Sequence, residues 1–120
     1  HRDIAELLID RGAEVDARAK YRDTALYRAA REGHKEVVEL LAGKGADIHA
    51  RGTYAKTPLL AAARKGHTEV VAFLISKGAD VNATCSNGHS PLGRAVVGGR
   101  KETAALLLKH GAEWGTESNE

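Results

Sequence analysis

Apolar and polar positions follow two alternating patterns along the chain. In the first, a hydroxyl residue leads a short run of small apolar side chains: Thr57-Pro58, then Leu59, Ala61, Ala62 and Ala63. Threonine before proline marks a helix N-cap, with proline at the first helical position, where its missing N–H costs nothing. Gly66 can take the left-handed conformation that ends such a helix. In the second pattern, Val70, Val71, Phe73, Leu74 and Ile75 form the apolar face of another helix. Gly78 closes it, and residues 79–84 then predict an extended turn.

Both patterns recur every 33 residues. Leu8, Leu41, Leu74 and Leu107 keep this spacing, as do Gly12, Gly45, Gly78 and Gly111. Gly33, Gly66 and Gly99 hold the same register, with Thr24, Thr57 and Ser90, while Arg100 interrupts the row His1, His34 and His67. A fixed period of this length means stacked repeats, each burying its apolar face on its neighbours. The register gives a partial repeat at 1–18, full repeats at 19–51, 52–84 and 85–114, and a polar, disordered tail at 115–120. Helices are expected near 24–31 and 35–44 in the first full repeat, and near 90–97 and 101–110 in the third. The chain starts at His1, in the middle of a repeat, which predicts a fragment of a longer protein.

Composition narrows the picture. One Trp, one Phe and three Tyr in 120 residues suit thin helix pairs rather than a large globular core. The net charge of +2, from 18 basic and 16 acidic residues, names no partner by itself. Cys85 is the only cysteine, so no intrachain disulfide can form, and a reducing compartment, cytoplasmic or nuclear, is expected. No apolar run approaches a membrane span, and the N-terminal stretch lacks the three-part signal pattern. Asp3, Glu36, Glu69 and Glu102 open the second helices, while Arg11, Lys44, Lys77 and His110 close them. Each such placement complements the helix dipole, worth ~0.3–1 kcal/mol at a surface, and needs no functional explanation.

Candidate chemistry is sparse. Equivalent histidines in stacked helices sit about 10 Å apart, whereas zinc–nitrogen bonds are about 2 Å. His34 and His67 therefore cannot share an ion, and no metal or cofactor is expected. The run 93–101 has glycines like a phosphate loop but lacks the Gly-Lys-Ser/Thr ending and a preceding strand. Cys85 or Ser90 beside His89 lacks an orienting third group and oxyanion donors. No enzymatic activity is expected.

The stretches TPLLAAARKGH and LISKGADVNA resemble the ankyrin repeat, and the likeness covers residues 1 to about 114. It implies an all-α solenoid of helix-turn-helix units joined by β-hairpin-like loops. It implies a non-catalytic scaffold for protein–protein interaction, with partners on a concave side built from the hairpin tips and first helices. On this chain the tips are Lys20, Tyr21 and Asp23; Thr53, Tyr54 and Lys56; and Ser86, Asn87 and His89. The exposed first-helix positions would be Tyr27, Arg28, Arg31 and Glu32; Leu60, Ala61, Arg64 and Lys65; and Arg94 and Val97. Arg22 and Ala55 replace the turn glycine that Gly88 retains, so those two turns should be strained or reshaped. Tyr27, Leu60 and Gly93 replace the family's histidine after Thr-Pro-Leu. Gly98 and Gly99 should loosen the end of the last first helix. Thr103, where other repeats carry Val37 and Val70, suggests a solvent-facing side of the final repeat or a weak one. Trp114 is expected to cap the C-terminal apolar edge. The segment from Leu74 to Asn82 resembles ankyrin segments modified by asparaginyl hydroxylases; the simpler expectation is that Asn82 makes local hydrogen bonds.

Two features of the binding set come from the residues themselves. Tyr21 and Tyr54 are equivalent tip residues, and tyrosine and arginine are enriched at interface hot spots. Lys20, Arg22, Arg28, Arg31, Lys56, Arg64, Lys65 and Arg94 face only Asp23 and Glu32, so the rest of the chain holds ten cations and fourteen anions. A basic face would steer an acidic protein partner. The alternatives are nucleic acid or another polyanion on the same cations, which lacks a stacking platform, or a regulatory piece of a larger enzyme or channel. No membrane partner is expected, and the fragment should be monomeric.

Overall fold

The computed structural model describes residues 24–114. The partial repeat, the tip residues Lys20, Tyr21 and Asp23, the turn residue Arg22 and the tail 115–120 lie outside that range. Six α-helices follow in order: α1 Ala25–Glu32, α2 Lys35–Gly43, α3 Pro58–Lys65, α4 Thr68–Ser76, α5 Pro91–Val97 and α6 Lys101–Lys109. A short 3-10 turn, Thr53–Ala55, precedes α3, and the described residues contain isolated bridges but no strand.

Each first helix starts as its hydroxyl residue dictates. Thr24 Oγ1 accepts from Tyr27 N, Thr57 Oγ1 from Leu60 N, and Ser90 Oγ from Gly93 N. Gly33 and Gly66 end α1 and α3 at φ 78° and 77°. In the third repeat Gly98 stays right-handed and Gly99, at φ 73°, makes the left-handed turn one residue later. The chain then reverses into the second helix through a repeated bond: His34, His67 and Arg100 donate their N–H to Ala29, Ala62 and Ala95.

First helices pack side by side, α1 on α3 and α3 on α5; second helices do likewise, α2 on α4 and α4 on α6. Between the two layers run the apolar rows that the period anticipates. Leu26, Leu59 and Leu92 are buried, as are Leu41, Leu74 and Leu107. Full burial of such a side chain contributes ~1.5–3 kcal/mol. The alanines Ala29, Ala30, Ala62, Ala63 and Ala95 let neighbouring helices approach closely.

Several expectations change or widen here. Tyr27, Leu60 and Ala61, assigned to the exposed face, are 3%, 1% and 3% exposed. Residues 27, 60 and 93 lie in the first turn of helices that pack against one another, and the whole row is buried. Thr103 does not face solvent: it is 1% exposed, and its hydroxyl lies 2.7 Å from that of Thr68. Asn82 makes the local bond expected of it through its backbone, whose N–H donates to Asp80 Oδ1 at 2.9 Å, but its side chain reaches further. Its Oδ1 accepts from Glu113 N at 2.7 Å and its Nδ2 donates to Gly111 O at 3.4 Å, so it ties one loop to the next. Arg100 keeps the role of the histidine it replaces. His67 Nε2 bonds Arg31 O at 3.0 Å, and Arg100 Nε donates to Arg64 O at 3.4 Å.

Trp114 packs against the core, and its carbonyl accepts from Ser90 Oγ, consistent with a cap on the last repeat.

Candidate binding surface

The tips preceding α3 and α5 share a closing bond. Gly52 N donates to Lys56 O at 2.8 Å, and Cys85 N donates to His89 O at 3.1 Å. Inside the loops the backbones differ. Gly88 takes φ 79°, whereas Tyr54 and Ala55 take 58° and 59°. An L-residue in this region is disfavoured by ~1–2 kcal/mol, so the strain expected at Ala55 is present and extends to Tyr54. This twist leaves the Tyr54 side chain 64% exposed, with the Lys56 ammonium 5.7 Å from its ring centroid.

Neighbouring tips are joined. Ser86 donates to Tyr54 O through both N, at 2.9 Å, and Oγ, at 3.0 Å. Arg51 Nη1 donates to Ala55 O and to Thr84 O, each at 2.7 Å. The tips are therefore held at a fixed pitch.

On the first helices, Arg28, Glu32, Arg64 and Lys65 are exposed, while Arg31 and Arg94 are half-buried. Arg31 lies over the Tyr27 ring, 5.9 Å from the centroid, and 3.4 Å from the Glu32 carboxylate. Lys56 and His89 are half-buried, Asn87 and Ser86 are exposed, and Thr53 belongs to the 3-10 turn. Of the proposed cations, Arg28 and Arg31 thus lie on α1, Lys56 on the tip before α3, Arg64 and Lys65 on α3, and Arg94 on α5, whereas Tyr27, Leu60 and Ala61 are buried.

The sequence-based set omitted Val96, which is 45% exposed beside Val97 at 61%. Its equivalents Ala30 and Ala63 are fully buried. A larger apolar residue in a row of alanines was the available signal.

Two clefts in the described residues measure about 130 Å³, beside Ile48, Arg51 and Asp80, and about 210 Å³, beside Lys35, His67 and Glu69. Both fall below the ~300–1,000 Å³ of small-molecule sites. Among the described residues no three His, Cys, Asp or Glu come together as a metal site, and no helix is long and apolar enough to cross a membrane.

A family model described as ankyrin repeats (3 copies) matches residues 1–52 and 49–118. A search of curated proteins finds no match to this chain.

Proposed function

The chain belongs to the ankyrin repeat family, and from that premise we propose that it binds an acidic protein through its hairpin tips and the exposed side of its first helices. Ankyrin repeats are generally protein-interaction modules and typically non-catalytic. One observation carries the finer reading. Tyr54 stands 64% exposed on a strained turn, with Lys56 against its ring, and Arg64 and Lys65 are exposed on the helix that follows. An aromatic ring that meets solvent beside cations suits a partner offering carboxylates around an apolar contact. The fixed tips lose little ordering entropy on binding.

The test compares the chain with a Tyr54→Ala/Arg64→Glu variant as baits, after thermal melts establish that both fold alike. The expected result is an acidic protein held by the wild type, lost by the variant and released as salt rises. Equal capture by both baits overturns the surface. Capture of nucleic acid alone, removed by nuclease, replaces the acidic protein with a polyanion.

A further inference from the structure

Equivalent positions along the first helices change chemistry from one repeat to the next. Arg31, Arg64 and Val97 occupy one register position in α1, α3 and α5. The first two carry guanidinium groups, that of Arg31 half-buried over the Tyr27 ring and that of Arg64 exposed. The third presents an aliphatic side chain that is 61% exposed, with Val96 beside it at 45%.

The members of this row form one continuous edge. The Arg31 carbonyl bonds the His67 ring, which starts the next second helix. The Arg64 carbonyl accepts from Arg100, and a Cβ built on Gly98, next to Val97, would lie 3.4 Å from that same oxygen. The pitch of the row is that of helices packed side by side, about 8–10 Å. An extended chain advances about 3.3 Å per residue. Three residues of an extended partner therefore span one repeat.

We propose that this edge binds an extended segment of a partner protein with the register acidic-x-x-acidic-x-x-apolar, read in one chain direction or the other. The carboxylates meet Arg31 and Arg64, and the apolar residue covers Val97 and Val96. This rests on the reading above that the first-helix side is the binding side. Guanidinium groups match carboxylates in a planar, two-bond geometry, and Lys65 adds charge beside Arg64. Glu32 lies 3.4 Å from Arg31 with its side chain 56% exposed. Such solvent-facing pairs are weak, so a partner's carboxylate can replace it. Charge steers the segment but is tolerant of register. The single apolar contact at the third repeat fixes the register.

Fluorescence anisotropy with labelled peptides tests this. The probes are Glu-Ser-Ser-Glu-Ser-Ser-Leu, its reversed sequence, and serine-padded peptides of the same composition with the marked residues two or four apart. One three-spaced peptide should bind about fivefold tighter than the other spacings. Val97→Ser should abolish that preference, and Arg64→Gln should weaken every peptide. Both positions are exposed, and melts verify that the variants fold. Equal binding at all spacings overturns the register while leaving an acidic-partner surface intact. If no acidic peptide binds the wild type better than Arg64→Gln, both the register and the acidic-partner surface fall.

Discussion

Thr68 Oγ1 and Thr103 Oγ1 lie 2.7 Å apart, joining α4 to α6 across the seam between two repeats. Thr103 is 1% exposed, whereas Thr68 is half-buried and also lies 3.5 Å from Gly66 O. The two ends of the bond are therefore unequal. Thr68→Ala strands a buried hydroxyl and should cost ~1–2 kcal/mol. Thr103→Val leaves a hydroxyl that still reaches a carbonyl and water, and should cost less than ~0.5 kcal/mol. The double variant should recover most of the loss from Thr68→Ala. Urea denaturation of the four proteins measures the cycle.

The His67 ring lies across Gly33, where a built Cβ would approach it to 2.6 Å, and the Arg100 stem lies as close to Gly66. Gly78, at φ 94°, opens onto space. Gly78→Ala should therefore cost ~1 kcal/mol from backbone conformation alone. Gly33→Ala should cost ~3 kcal/mol, because a rigid ring must also be displaced. Gly66→Ala should fall between them, since an arginine methylene stem can shift. Repeating Gly33→Ala in a His67→Ala background should bring its cost down to that of Gly78→Ala.

These examples separate what the sequence makes legible from what it hides. The period, the hydroxyl caps and the left-handed glycines are backbone matters, settled within a few residues, and the helices fall within a residue of their expected bounds. Burial across a seam is different. The family pattern places Tyr27 and Leu60 on the surface, although their own apolar bulk in one row points inward, where the structure buries them. The Thr68–Thr103 pair and the Asn82 bridge join positions 35, 29 and 31 residues apart, so no local pattern announces them. Within the binding set, the cations on the first helices and Val97 were legible from register, whereas Val96 was signalled only by its bulk in a row with Ala30 and Ala63.

Ala55 takes φ 59° where its equivalent Gly88 takes 79°. Ala55→Gly removes that strain at the expense of a more flexible unfolded chain. The net gain should be ~0.5–1 kcal/mol, visible as a rise of a few degrees in Tm. If Tyr54 anchors a partner, the same change should weaken binding by loosening the turn that presents the ring.

Ser90 Oγ both accepts from Gly93 N and donates to the Trp114 carbonyl. Ser90→Ala removes a helix cap and one of the bonds that hold the backbone of Trp114, the only tryptophan. It should cost ~1–2 kcal/mol and shift Trp114 fluorescence to the red as the indole leaves the core. Thr57→Ala removes a cap alone, so it should lower stability without moving the emission maximum of the folded protein.

Among the described residues, the hydrogen bonds that side chains form across the seams join positions 29 to 36 apart. Folding thus never has to close a loop much longer than one repeat. Once any adjacent pair has docked, the next helix pair meets the same short search, so the chain zips outward from its first contact. Relative contact order then falls as repeats are added, and the time to form each seam stays that of closing one loop of this length.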